Sequence, residues 1–377
     1  MTNEIRRIIE QIHASPQQLV LAVSGGGSRA VADLLEVPGA SNTVLEAVIP
    51  YSRDSMCDWL GGRPDRYCAP STTRSMAVKA FFRARQYSGT SGVAVGVACT
   101  AGLATNRDRR GPHAIHVAAQ TDSLTATWSL EMNKGQRHRE EEESVASQLL
   151  LRAVAEVCKV DESLLEGNLR KGEELQKARC TPPPSWQDIF LARTDICRQQ
   201  GTVSRVVFPG AFNPLHVGHR NMAKVAEETL GQSVTFEVSI LNVDKPPLDY
   251  TEIERRVSQF TEGQAVCLTR AATFEQKSRL FAGATFLVGV DTLRRIADPR
   301  YFGDDTAACS AAMNRIIDRG CRFLVFGRDM GTGFAKLGDL DLPDTLRAAC
   351  REIPAQLFRE DVSSTAIRRA VVDGTIC

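Results

Sequence analysis

Several features that would decide the class of this chain at once are missing from it. No two of its eleven cysteines stand in a Cys-x-x-Cys pair, which removes the usual spacing signal of a zinc site or a thioredoxin-like redox motif. They are scattered through apolar segments, as at Cys99, Cys158, Cys267 and Cys321, and an odd count without a framework suits reduced, mostly buried thiols. No apolar run reaches the ~18 residues of a membrane-spanning helix, and Met1 to Gln18 is a polar amphipathic stretch rather than a signal peptide. A cytoplasmic protein with no membrane partner is expected. Nor is there a charge excess: 46 Lys and Arg against 45 Asp and Glu leave a net charge of +1. Such a balance gives no long-range field for nucleic acid, so any affinity for phosphate must be local.

What is present fits an ordinary globular protein of two domains. The 377 residues are 43% hydrophobic and 24% charged, and exceed one typical domain of ~100–200 residues. Within a first domain over 1–158, residues 19–158 alternate strand-like and helix-like segments, with Leu19–Val23, Val93–Val97, Ala114–Ala119 and Thr125–Glu131 as strand candidates. Ser144–Val157 reads as a helix, and the acidic run Glu140–Glu143 before it as a solvated helix start. Residues 159–204 are charge-rich and contain Thr181-Pro182-Pro183-Pro184, which neither a helix nor a central strand tolerates; they read as a linker. From 205 to 377 the rhythm resumes, with strands over Arg205–Phe208, Thr235–Leu241, Ala265–Thr269, Thr285–Val290 and Arg322–Phe326. Strands separated by helix-length segments predict an α/β fold, here a Rossmann-like doubly wound parallel sheet.

The densest chemistry lies in Gly210-Ala211-Phe212-Asn213-Pro214-Leu215-His216-Val217-Gly218-His219, which holds two of only six histidines. It follows the apolar run Val206–Phe208 and precedes a helical pattern through Leu230. Strand, glycine-bearing turn and helix are the arrangement by which α/β proteins offer backbone N–H groups and a positive helix end to phosphate. Two imidazoles at that mouth add hydrogen-bond donors for triphosphate oxygens. A second candidate is Ser363-Ser364-Thr365-Ala366-Ile367-Arg368, a capping segment whose hydroxyls and Arg368 suit phosphate.

Together these stretches resemble the G-x-F-[DN]-P-x-H-x-G-H and I-S-S-T-x-I-R signatures of the nucleotidylyltransferase superfamily. That group includes the nicotinamide and nicotinate mononucleotide adenylyltransferases, phosphopantetheine adenylyltransferase and several cytidylyltransferases. The resemblance implies His216, His219 and Arg368 as catalytic groups. It implies nucleotide-binding roles for Gly210, Ala211, Phe212, Asn213, Gly218, Ser363, Ser364 and Thr365. It extends to Gly289-Val290-Asp291, where Gly289 and Asp291 fall at the family's Gly-Ala-Asp strand end. Arg328 and Lys245 fall where related enzymes carry basic residues near substrate. The implied reaction is direct displacement: an acceptor phosphate attacks the α-phosphate of a nucleoside triphosphate and pyrophosphate leaves. No metal-ligating acidic cluster is evident, so Mg²⁺ is expected to arrive with ATP and small-molecule nucleotides are the expected partners. The form of the motifs is most similar to the mononucleotide adenylyltransferases of NAD metabolism, although Arg300-Tyr301-Phe302 stands where those enzymes often carry tryptophan. Two alternatives stand beside this: a nucleotidylyltransferase for another phosphorylated acceptor, of phosphopantetheine or cytidylyltransferase type, and a non-catalytic nucleotide-binding or sensing protein.

The N-terminal half resembles the C-terminal domain of the CinA family, the nicotinamide-mononucleotide amidase type. The matching blocks run in order: Ala22–Ser28, Val37–Ser41, Pro50-Tyr51-Ser52, Val97–Gly102 and Gly135-Gln136-Arg137. They imply a mononucleotide-sized pocket with Ser24, Tyr51 and Arg137. Met56 replaces the family's lysine, and Arg53 and Arg74 are the cations that could fill its place. An altered amidase, a nucleotide-binding module and an oligomerisation scaffold are the three readings open, and a homo-oligomer is expected.

Overall fold

The structure, a computed structural model, describes residues 1–88, 92–106, 111–161, 169–329 and 333–360, together with Ser364, Ile367 and Arg368. Ser363 and Thr365 lie outside the described residues. The chain forms two compact units: unit 1 is Met1–Gln187 with the segment Asp244–Thr251, and unit 2 is Asp188–Val243 with Glu252–Cys377.

Unit 1 is built on a six-stranded sheet, β1 (Gln17–Ser24), β2 (Val44–Val48), β3 (Val93–Gly102), β4 (His113–Gln120), β5 (Thr125–Met132) and β6 (Leu175–Cys180). The spatial order is β2-β1-β3-β4-β5-β6. β1 is parallel to β2 and β3, and the pairs from β3 to β6 are antiparallel. Alternation along β1 sends Leu19, Leu21 and Val23 to one face, where they join Ile9, Ile12, Trp128 and Leu150 in the main core. Ala22 points to the other face, with Ala98, Ala118 and Met56. Those small residues let the helix Pro70–Tyr87 lie close against the sheet. At Gly96 a Cβ would sit 2.1 Å from the backbone of both Ala77 and Phe81, so only glycine fits. The segment Asp244–Thr251 belongs to this unit through Tyr250, which is fully buried and donates its hydroxyl to Asp122 O at 2.6 Å. Asp249 accepts the Arg74 guanidinium at 3.1 Å.

Unit 2 carries β7 (Ile196–Gln200), β8 (Val206–Pro209), β9 (Val234–Ser239), β10 (Ala265–Thr269), β11 (Thr285–Gly289), β12 (Arg322–Phe326), the short pair β13 (Arg328–Asp329) and β14 (Phe334–Ala335), and β15 (Cys350–Ile353). Its main sheet runs β15-β12-β11-β8-β9-β10-β7. Every pairing is parallel except that of β7 with β10. The order leaves β8 in one direction towards β9 and β10 and in the other towards β11, β12 and β15. The crevice between β8 and β11 is therefore the topological switch point, where open α/β sheets bind ligands outside the strands' carboxyl ends.

Two expectations need correction. Residues 159–204 are not simply a linker: β6 extends the sheet of unit 1 and β7 that of unit 2. β6 is exposed at four of its six positions, so its half-solvated edge carries little apolar alternation. The acidic run does open a helix, Arg139–Val157, with Glu140 and Glu141 exposed, but its other two members are not solvated. Glu142 is fully buried, 2.7 Å from His113 Nδ1 and 2.5 Å from Ala104 N. Glu143 accepts Gly27 N–H at 3.0 Å with both carboxylate oxygens.

Candidate functional sites

In unit 2 the turn after β8 is shaped around Phe212. This residue has φ +43°, a conformation that side chains rarely adopt, and is held in it by packing. Its ring is 1% exposed and meets Phe208, His219, Phe236 and Phe260 edge-on at 5.1–5.5 Å. A Cβ on Gly210 would lie 2.4 Å from that ring, which explains the glycine. Gln259 fixes the turn from both sides, donating to Phe212 O at 3.0 Å and accepting Leu215 N–H at 2.8 Å. Arg256 donates to Ala211 O at 3.0 Å and Arg255 to Asn213 Oδ1 at 2.5 Å. These positioning residues were not foreseen, because only the tertiary fold brings them to the turn.

His216 caps the helix Val217–Leu230, and its ring stacks on that of His219 with centroids 3.7 Å apart. His216 N–H donates to His219 Nδ1 at 3.3 Å. That bond requires a bare Nδ1, so the proton of a neutral His219 ring sits on Nε2. Burial, the His216 ring and the Arg328 charge push His219 down to about 3. Burial and Arg328 also lower His216, against an opposing pull from Glu360. Both imidazoles are thus neutral near pH 7. His216 Nδ1 is buried with no hydrogen-bond partner among the described residues, an unmet polar group at a helix N-terminus.

The other elements gather around this pair. Asp291, just past β11, accepts Arg328, just past β12, at 3.3 Å. Arg368 donates to Asn213 O at 2.7 Å and Ser364 to Pro214 O at 3.1 Å. The two signature stretches, some 150 positions apart in sequence, therefore meet. Asn221 donates to Glu360 Oε1 at 2.6 Å, closing the same side.

Unit 1 holds a cleft of about 1190 Å³. Its lining includes Ser24, Tyr51, Arg66 and Tyr67, with His116, Ser129 and Glu131. Ser24 Oγ donates to Pro50 O at 3.0 Å. Among the described residues no imidazole, amine or carboxylate bonds to that hydroxyl.

With that geometry in view, each unit can be compared with known families. Residues 207–370 match the cytidylyltransferase-like family. Residues 2–155 match the CinA C-terminal domain. No curated protein matches the chain. Among solved structures, the competence/damage inducible protein CihA from Agrobacterium tumefaciens is 20% identical with a TM-score of 0.33, over 42% of this chain and 94% of that one. A competence-damaged protein (CinA) superfamily protein from Klebsiella pneumoniae is 16% identical with a TM-score of 0.35, over 41% of this chain and 96% of that one. The chain thus joins a CinA-like α/β domain to a cytidylyltransferase-like, Rossmann-like domain, and the latter supports a nucleotidylyltransferase.

Not every expected site residue falls into place. In the cytidylyltransferase-like domain Ser364 and Arg368 bond the Gly210–His219 turn, and Gly289 and Asp291 at the end of β11 stand beside Arg328. Lys245 falls in the segment assigned to unit 1, where its backbone packs against Gly62. In the CinA-like domain Ser24 and Tyr51 line the cleft, but Arg137 does not. Its guanidinium is buried and bonds Glu173 at 2.5 and 2.7 Å, because a buried carboxylate needs a paired cation. Neither candidate cation is among the residues that line the cleft. Arg74 is committed to Asp249, and Arg53 lies 5.6 Å above the Tyr67 ring. Met56 is 2% exposed and part of the apolar layer. All ten cysteines among the described residues are free thiols, and no described helix is long and apolar enough to cross a membrane.

The electrostatics of the histidine pair lead to a direct test. Arg328→Gln removes a positive charge that disfavours imidazolium, so His216 and His219 should both titrate at higher pH than in the unaltered protein. NMR of the imidazole Cε1–H signals reads this. An unchanged His216 titration would show that Arg328 does not act on the pair.

Proposed function

We propose that the cytidylyltransferase-like domain transfers an adenylyl group from ATP to nicotinamide or nicotinate mononucleotide. The observation that carries nucleotidyl transfer is the neutral His216–His219 pair at a helix N-terminus on the sheet's switch point, with an unmet Nδ1. A neutral imidazole can donate one hydrogen bond without the repulsion a second imidazolium would bring. His219 Nε2–H and the first N–H groups of the helix are the donors for triphosphate oxygens. Arg328 supplies positive charge beside them, and Asp291 is suited to ribose hydroxyls. Arg368 and Ser364 hold the Asn213-Pro214 turn in register, which is how the second signature contributes to the site.

In the reaction an acceptor phosphate oxygen bonds to the α-phosphorus of ATP as the bond to the bridging α–β oxygen breaks, and pyrophosphate departs with that electron pair. No proton has to be removed from an ionised phosphate nucleophile, so alignment and charge neutralisation suffice. Among the described residues no three His, Cys, Asp or Glu side chains gather to hold a metal ion, and the imidazole and guanidinium donors present suit phosphate oxygens. In this reading Mg²⁺ enters as part of the ATP complex, where it would supply charge neutralisation on the phosphates.

Two features favour the pyridine mononucleotide as acceptor: the Phe-Asn-Pro, Gly-x-Asp and Ser-Ser-Thr-x-Ile-Arg forms of the motifs, and the CinA-like domain on the same chain. Coupling two mononucleotide sites on one chain raises the local concentration of an intermediate. The test is pyrophosphate release by the full chain from ATP or CTP with a panel of acceptors. The panel holds both pyridine mononucleotides, 4′-phosphopantetheine and simple sugar and alcohol phosphates. Release with ATP and a pyridine mononucleotide alone is the expected pattern. Preference for CTP with an alcohol phosphate would move the assignment to a cytidylyltransferase.

A further inference from the structure

One charge beside the histidine pair runs against the phosphate chemistry of the site. Glu360 is half-buried next to the first turns of the helix Val217–Leu230, where its Oε1 accepts Asn221 Nδ2–H at 2.6 Å. Its other carboxylate oxygen bonds no described residue, and among the described residues no lysine or arginine pairs with it. Gly218 brings the glutamate close to the pair. A Cβ on that glycine would lie 3.2 Å from both Cε1 and Nδ1 of His216, and 3.7 Å from Glu360 Cβ. Imidazole and glutamate therefore flank the same point on the helix. The carboxylate also acts on that ring, since its charge pulls His216 upward against burial and Arg328. A negative charge left without a cation at the edge of a triphosphate site repels the ligand, and it does so strongly where water is partly excluded.

We propose that Glu360 is a specificity-determining residue that makes the site select nucleoside triphosphate complexed with a divalent cation over the metal-free form, an inference that rests on the nucleotidyl-transfer reading of the same site. Metal-free triphosphate brings its full negative charge to the helix N-terminus. The His216 and His219 rings, neutral near pH 7, add no positive charge to offset it. Glu360 opposes that charge directly. A divalent cation carried in on the phosphates removes part of the charge, so the same carboxylate rejects one form of the ligand and accepts the other. Discrimination then comes from a built-in repulsion as much as from attraction. Such a residue behaves unlike a binding residue when it is removed: the rejected ligand binds more tightly, not less.

The experiment is equilibrium binding of ATP to the full chain, without acceptor, in excess Mg²⁺ and in EDTA. It is run on the unaltered protein, Glu360→Gln and Glu360→Lys, a series that changes charge at one position. The unaltered protein should bind ATP more tightly with Mg²⁺ than in EDTA. Glu360→Gln should bind metal-free ATP about 10-fold more tightly than the unaltered protein does, the scale of one nearby charge in a partly screened site. Glu360→Lys should bind it more tightly again, and the advantage of Mg²⁺ should shrink along the series. With no nucleotide present, Glu360→Gln should also move the His216 Cε1–H titration to lower pH, because a charge that favours imidazolium is gone. A Mg²⁺ advantage that neither substitution changes, or weaker binding of metal-free ATP by Glu360→Gln, would overturn the proposal. Equal weakening of both forms would overturn it too, as the mark of a glutamate that only steadies Asn221. Absence of ATP binding by all three proteins, with the His216 titration shifted as expected, would place the failure in the nucleotidyl-transfer reading and overturn this inference with it.

Discussion

Replacing His216 with alanine is expected to lower kcat/KM for pyrophosphate release about 10²–10³-fold, the scale lost when one preorganised donor to a developing charge is removed. The melting temperature should change little. His216 is half-buried, its ring stacks on that of His219, and its backbone N–H to His219 Nδ1 survives the substitution, so truncation opens little core. His219→Ala should differ in kind. That ring packs edge-on against Phe212 at 5.1 Å and Phe208 at 5.9 Å. Its loss removes the same class of donor and also loosens the packing that keeps Phe212 in its unusual backbone conformation. Steady-state kinetics with thermal melting on the two variants separates the roles. Equal loss of stability in both would mean that the imidazoles are structural.

The largest stability effect is expected in the other domain, at Arg137. Its side chain is 3% exposed and that of Glu173 is fully buried. Glu173 also accepts the N–H groups of Asn133 at 2.9 Å and Arg170 at 2.8 Å. Arg137→Ala leaves this carboxylate buried without its cation, which costs about 3–5 kcal/mol when one partner of such a pair is removed. For a unit of this size that corresponds to a fall in Tm of roughly 6–20 °C. The double substitution Arg137→Met with Glu173→Met removes both charges and should be far milder, since apolar replacement of a buried pair is often near neutral. A double variant as unstable as the single one would contradict the pairing account.

The same pair sets an acid limit. Burial alone would raise Glu173, but the Arg137 guanidinium and the two backbone N–H groups outweigh it and hold the carboxyl down at about 2. A depressed folded-state pKa contributes stability above the unfolded-state carboxyl range near 4.3, and the contribution disappears as pH falls towards 2. Acid titration of Tm should therefore show a descent in that window which Arg137→Ala largely lacks.

How much of this was legible in the sequence depends on the range of the interaction. Gly210–His219 was readable because strand, turn and helix are contiguous, and because Gly210, Phe212 and the two histidines each have a local reason to be there. Asp291 and Arg328 were readable as strand-end residues, since a parallel sheet brings successive carboxyl ends to one edge. Arg137 was not. Its block marks a family position, but its partner Glu173 is 36 positions away, inside the stretch expected to be a linker. The acidic run misled because four glutamates in a row look solvated until His113 and Gly27 are brought to two of them. The adjacency of Ser24, Thr100, His116, Ser129 and Gln176 is invisible in one dimension, because it exists only through the register of five strands.

The most direct test of nucleotidyl transfer to a pyridine mononucleotide is a paired measurement on the full chain with ATP, Mg²⁺ and nicotinamide or nicotinate mononucleotide. Pyrophosphate is followed enzymatically, and the dinucleotide by mass spectrometry. The expected result is pyrophosphate and dinucleotide in equal amounts, both falling at least 100-fold in His216→Ala. Pyrophosphate no higher than in the His216→Ala protein, with no dinucleotide formed, would contradict it.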